Sequence, residues 1–489
     1  MSYLYVGIGG SGAKLMHSLV HLTAAGLLPE GGRELMGFLV DPDQSNGSVN
    51  ESIQVGALYD RCKKLQFGEK AALFKNKVTI RGPWSPVSDI DLADLESIFD
   101  LPRMKRVSPQ DADLMEVLFS PEERSMPVLQ GFRGRPAIGA TIFGRMVSFD
   151  DPIWNELRNR ALGARAHGDV SLLLAGSVFG GSGAAGVPTI CRLLRESLGE
   201  QVRDLRLGLI LLLPYFDYTK VENEDLQADP HGFETATAEA LKYYDERHFL
   251  DICKAIYAVG EHYKARMPVP AVGAGGQRNP PHFVELVAGL GAVRFMVGDS
   301  SLDGESVVSL SGREGQNTVR WADLPTANDR HAPQMALLQQ FVLFAVAYHY
   351  IVYPKVMAEL HGSHAVIDHL REVPRDQAGQ DLTAVDIYLT AFLHWLLSIS
   401  TPHREGVSEF VPGLVEVNVF AVRETGGWRL KSPQEFSEKQ MGTLFRNLEE
   451  RGRPNVRAIF HALTQEVHDD QARGAGKLVR AIYDACKLS

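Results

Sequence analysis

Two short stretches carry most of the chemistry this chain offers, Gly7-Ile8-Gly9-Gly10-Ser11-Gly12 and Gly180-Gly181-Ser182-Gly183. Each follows an apolar run, YLYVGI (Tyr3 to Ile8) in one case and DVSLLLAG in the other, and each opens a helical pattern. Glycine lets a backbone approach an anion closely and take positive φ. The helix that follows offers unpaired N–H groups and the positive end of its dipole. One such junction is common, and its plainest reading is a tight strand-to-helix turn. Two at neighbouring strand ends can enclose a polyphosphate from both sides. Neither continues into Gly-Lys-Ser/Thr, so neither is a P-loop.

The elements that must hold these loops read as an α/β protein. LMGFLVDPD, LRLGLILLLPYF and CKAIYAVGE are further buried strands, and AKLMHSLVHLTAAGLL, AGVPTICRLLRESL and ATAEALKYYDER are helices between them. Continuous apolar strands alternating with amphipathic helices predict a parallel sheet covered on both faces. Ligands of such sheets lie beyond the carboxyl ends of the strands, where the glycine-rich stretches fall. IGATIFGRMVSFDDPIWNELRNRAL reads as helical, residues from Gln44 to Pro127 as a variable stretch, and Gly298 to Asn328 as polar and glycine-containing. LVEVNVFAVRE reads as a strand, and PNVRAIFHALTQEV and GKLVRAIYDACKL as closing helices.

Bulk properties narrow the setting. A chain of 489 residues exceeds what one core usually holds, so two domains are expected. The formal charge of −10, without a long basic block, argues against nucleic-acid binding by phosphate neutralisation. Cys62, Cys191, Cys253 and Cys486 are scattered and form no CxxC pair, which fits structural thiols in a reduced, cytoplasmic compartment. The chain opens on the strand-like SYLYVGIGG, leaving no segment for targeting. MALLQQFVLFAVAYHYIVY is interrupted by Gln339, Gln340 and His349, so a buried helix is expected there and no membrane span.

Gly7, Gly9 and Gly12 also satisfy G-x-G-x-x-G, which raises an NAD(P)-binding oxidoreductase. The acids ending the second strand, Asp41 and Asp43, come later than the roughly 20 residues usual for a ribose-binding acid. That reading also gives the second glycine loop no task.

The set of motifs resembles the tubulin/FtsZ superfamily, in particular its prokaryotic tubulin-like members. GIGGSGAK resembles the family's first glycine loop, and FLVDPDQ the strand end written NTDxQ, with Asp43 at the Asp position. GRPAIG is similar to the loop ANPEIG through Pro136, Ile138 and Gly139. GGSGAAGVP is similar to the signature GGTGTGAAP, with Phe179 and Ala185 standing where two of its glycines are expected, and LLLPYFDY resembles TKPFxFE. The match runs from Tyr3 to Tyr218, under half of the chain.

The resemblance implies a parallel-sheet nucleotide-binding domain of tubulin/FtsZ type over residues 1–276, a central helix over 277–297, and an α+β C-terminal domain with additional helices over 298–489. It implies GTP or GDP with Mg²⁺, held by Gly9, Gly10, Ser11, Gly12, Asp43, Pro136, Gly139, Gly180, Gly181, Ser182 and Gly183. Asn279, ahead of the central helix, is the candidate base contact, a helix cap being its plainer reading. It implies a head-to-tail homopolymer whose GTPase is completed between subunits, and leaves a further protein partner open. NTVRWADLP is the nearest stretch to the family's catalytic loop NVDFAD; it offers Asn317 and Asp323 but lacks the first acid. Asp323 is therefore the catalytic candidate, with capping of a local turn as its alternative. Glu285 is a second carboxylate to weigh, read mainly as a surface or ion-pairing group. A non-hydrolysing nucleotide-bound scaffold stays open. His361, His364 and His369 lie close together but no carboxylate or cysteine completes a metal site, and no G-x-S-x-G elbow is formed.

Overall fold

The computed structural model describes residues 2–28, 33–68, 71–87, 94–163, 170–218, 232–261, 264–267, 278–298, 305–310, 318–326, 330–360, 370, 373–401, 411–446, 456–462 and 471–488. Seven parallel strands form one sheet: β1 (Ser2–Ile8), β2 (Glu34–Val40), β3 (Lys77–Trp84), β4 (Ser171–Ser177), β5 (Arg206–Leu212), β6 (Ala255–Gly260) and β7 (Glu305–Leu310). Their order in space is β3-β2-β1-β4-β5-β6-β7. The chain steps outward from β1 to β3 and then returns to the other side of β1, so the direction of winding reverses between β1 and β4. That reversal opens a crevice at the carboxyl ends of those two strands.

Alternation along β1 sends Tyr3 and Tyr5 to one face and Leu4, Val6 and Ile8 to the other. The first face is covered by α1 (Gly9–Ala24), α2 (Gly47–Lys63) and, beyond β6, α6 (Phe283–Met296). The second is covered by α3 (Pro136–Met146), the helix Pro152–Leu162 and α4 (Gly181–Leu198), while α5 (Phe233–Glu246) follows β5. Both faces being buried explains why the central strands are apolar throughout.

Three helices from the C-terminal half, α7 (His331–Ala347), α8 (Arg375–Ser400) and α9 (Gly474–Ala485), pack onto α1, α2 and α6 and share their hydrophobic core. On α8, Tyr388 OH meets His21 Nδ1 at 3.0 Å, and Trp395 donates its indole N–H to Ser18 Oγ at 3.0 Å. Helices His331–Leu360 and Arg375–Ser400 are long and apolar enough to cross a membrane, but 78% and 56% of their most apolar windows are buried here. Gln340 is satisfied inside, donating to the Tyr483 carbonyl at 2.7 Å.

Several elements differ from expectation. The helix read as a connector between two domains is a crossover within the sheet, because β7 pairs in parallel with β6 directly after α6. The segment from Ile138 to Leu162 is two helices, since Asp151 accepts from Ile153 N at 2.9 Å and, with Pro152, starts a new one. The variable stretch after Gln44 contains α2 and β3. Within Leu414–Glu424 the strand is confined to Ala421–Glu424, which pairs with Gly427–Leu430 after a 3₁₀ turn at Val417–Val419. Beyond β7, strand pairing among the described residues consists of this hairpin, a two-residue parallel pairing of Thr318–Val319 with Val411–Pro412, and single bridges at Val415–Phe445 and Phe67–Ala472.

Candidate anion-binding site

At the crevice between β1 and β4 the two glycine loops touch. A side chain on Gly9, where φ is +74°, would meet Ser182 Cβ at 3.3 Å and Gly183 N at 3.4 Å. The segment before α3 closes the third side: a side chain on Gly181 would meet Phe132 Cβ at 2.9 Å and Gly134 N at 3.0 Å. The start of α2 closes the fourth, with the Asn46 amide 3.4 Å from a side chain placed on Gly10. Four helix N-termini therefore converge. Asn46 caps α2 itself by accepting from Ser48 N and Val49 N. No side chain caps α1, α3 or α4, which leaves their first-turn N–H groups for a ligand.

The predicted glycines divide by task. Gly10, Ser11, Gly180 and Ser182 keep partial solvent exposure and line the opening. Gly12 and Gly183 are buried because backbone crosses them, at 2.7 Å from the Ala175 carbonyl and 2.5 Å from the Ser177 carbonyl for an added Cβ. Gly139 is buried against Phe132 and the Ala185 methyl, so it serves the contact of α3 with α4, while Pro136 is exposed in the first turn of α3. Ala185 thus fits because its neighbour is a glycine. Phe179 is 4% exposed and packs among Tyr215, Phe216 and Phe233, away from any cradle.

Asp41 and Asp43 follow β2 beside this opening, both buried. Asp41 accepts from Asp43 N at 2.9 Å, and Asp43 accepts from Ser45 N at 2.9 Å and Ser45 Oγ at 2.6 Å. Burial, helped by the neighbouring Asp43 charge, pushes the Asp41 carboxyl up to about 7. Among the described residues no group of three or more His, Cys, Asp or Glu could hold a metal unaided. Mg²⁺ usually takes one or two protein oxygens and completes its shell with water and phosphate, and carboxylate oxygens such as those of Asp41 and Asp43 are the kind it takes.

Beneath the first glycine loop lies a buried polar cluster, of which sequence reasoning singled out Glu285 alone. Lys14 Nζ stands 2.5 Å from Glu285 Oε1, with side chains 7% and 1% exposed. Tyr215 donates to the same Glu285 oxygen at 3.0 Å. Tyr5 donates to the Gly12 carbonyl at 2.6 Å. Burial raises Glu285, against the lowering effect of Lys14. Glu285 is thus a buried pairing group that also accepts from His282 N in the capping box of α6.

Asn279 is partly buried ahead of α6, one residue after Arg278, which bridges to Glu51 of α2 at 2.7 Å. The cap of α6 is His282, not Asn279. Asp323 ends the 3₁₀ turn Trp321–Asp323, is exposed, and accepts from Arg320 N at 2.9 Å, the local capping role. Asn317, His361, His364 and His369 lie outside the described residues. Cys191 and Cys253 meet with sulfurs 3.8 Å apart, both buried as free thiols. Set against known proteins, the chain matches no protein-family model and no curated protein.

Proposed function

We propose that this protein is a tubulin-like GTP-binding protein of the cytoplasm that joins head to tail into filaments, with GTP hydrolysis completed where two subunits meet. One observation carries the nucleotide half of this reading. Three helix N-termini without side-chain caps converge at the reversal point of a parallel sheet, flanked by two glycine loops in contact. Such a cradle suits several phosphates in a row. The choice of guanine and the head-to-tail polymer rest on the resemblance of GIGGSGAK, FLVDPDQ, GRPAIG and GGSGAAGVP to tubulin and FtsZ. An interface of head-to-tail type leaves both ends open and propagates.

In this reading the N–H groups of Gly10, Ser11, Ser182 and their neighbours bind phosphate oxygens, and Asp41 and Asp43 hold Mg²⁺ jointly with them. Mg²⁺ supplies charge neutralisation on the phosphates. Asp323 of an adjoining subunit would orient water. Turnover measured against protein concentration, with light scattering recorded alongside, tests the proposal. It predicts scattering on GTP addition and turnover that rises faster than linearly, with Asp323→Ala keeping the polymer and losing turnover.

A non-hydrolysing scaffold is favoured by one observation, the use of the Asp323 carboxylate in capping its own turn. It predicts bound nucleotide with neither turnover nor concentration dependence. The strand order also suits a dinucleotide-binding oxidoreductase. Against that, Asp41 and Asp43 come later after the glycines than a ribose-binding acid usually does, and the second glycine loop would have no task. Enhanced fluorescence of reduced nicotinamide on titration would favour the oxidoreductase.

A further inference from the structure

The segment that closes the cradle on its third side contains an arginine in an unusual place. Arg133 has φ +44°, a left-handed backbone that L-residues rarely adopt, and stands between Phe132 and Gly134, the two residues that abut Gly181. The other left-handed positions of this loop, Gly131 and Gly134, are glycines, as backbone sterics favour. Retaining a long cation at such a position stores strain that the loop's own contacts do not explain. The guanidinium is also unspent. Its Nε is buried without a partner, and among the described residues no hydrogen bond or ion pair is made by the Arg133 side chain. Two residues on, Arg135 is paired, 3.5 Å from Glu123.

We infer that Arg133 is a phosphate-binding residue of the anion site, supplying full positive charge where the three helix N-termini supply only fractions of one. The inference rests on the nucleotide reading above. A planar guanidinium with five N–H donors matches two phosphate oxygens at once. Its presence also accounts for the missing lysine of a P-loop: a cradle without that lysine still has a cation within the loop that wraps it.

The test is binding of a fluorescent N-methylanthraniloyl-GTP, with Mg²⁺, to the full chain and to Arg133→Gly, Arg133→Asn and Arg133→Lys. Glycine relieves the left-handed backbone, and asparagine tolerates it, so both variants are expected to melt no lower than the wild type. Both should nevertheless bind GTP roughly 10- to 100-fold more weakly, the loss of one bidentate charge-assisted contact. Lysine should recover a substantial part of that loss, because it restores charge without the fork. If the wild type binds and Arg133→Gly, or Arg133→Asn should the glycine variant not fold, stays within about twofold of it, this inference alone is overturned. Lysine binding no better than glycine overturns it too. A wild type that binds no nucleotide overturns the nucleotide reading, and this inference with it.

Discussion

Lys14 and Glu285 form a buried ion pair in a layer built mainly of aliphatic and aromatic side chains. Burying two charges costs several kcal/mol each, and the mutual attraction rarely does more than offset it. Removing one partner should therefore be worse than removing both. Lys14→Met or Glu285→Leu alone is expected to lose about 3–5 kcal/mol in urea unfolding, while the double variant returns close to wild-type stability. His17, one turn further along α1, gives the chain an acid weakness. Burial lowers its imidazole from 6.5 to about 4; the Glu51 carboxylate works against this, while the Lys14 and Arg278 charges add to it by smaller amounts. The unfolded chain thus takes up that proton first. The stability His17 allows is complete above about pH 6.5 and is lost as pH falls towards 4, up to about 3 kcal/mol. His21, lowered chiefly by burial and then by His17, acts in the same direction. Unfolding free energy followed from pH 7 to 4 should fall less steeply in His17→Leu than in the wild type.

At the scale of elements, the contact of α3 with α4 leaves no room for an added methyl. An added methyl at Gly139 would sit 2.5 Å from Phe132 Cδ2 and 2.7 Å from Ala185 Cβ. Gly139→Ala is expected to destabilise by about 1–3 kcal/mol through overpacking, and Ala185→Gly in the same chain to recover part of it. Thermal melts of the two single variants and the pair decide this. The elements legible in the sequence share a physical trait. β1, β4, β5 and β6 are central strands buried on both faces, so they read as unbroken apolar runs. β3 is an edge strand with three of its eight residues exposed and only one buried, and β7, ESVVSL, forms the other edge. Edge strands carry polar residues, and neither of these was readable as a strand. The two-helix break at Asp151-Pro152 was legible in principle, because aspartate before proline is a helix-start signal.

Across the whole molecule, the glycine loops were legible because each is a contiguous run of residues whose purpose is local. The residues that set the charge of the site were not. Tyr215 and Glu285 are 70 residues apart, and Lys14 reaches Glu285 from the far end of the chain. Arg133 gave no signal at all, since positive φ at a non-glycine is visible only in the backbone. The C-terminal helices were expected as a separate unit, yet α7, α8 and α9 complete the same core as α1 and α6. A chain so joined should unfold as one cooperative unit over these elements, with calorimetric and van't Hoff enthalpies in agreement. The account stands or falls on whether the converging helix N-termini hold a nucleotide. Isothermal titration of the full chain with GTP and Mg²⁺, beside Gly9→Val, measures this directly. The account predicts saturable binding by the wild type and its loss in Gly9→Val, whose side chain would strike Ser182 and Gly183 from a left-handed backbone. No heat of binding with the wild type, or equal binding by a folded Gly9→Val, would contradict it.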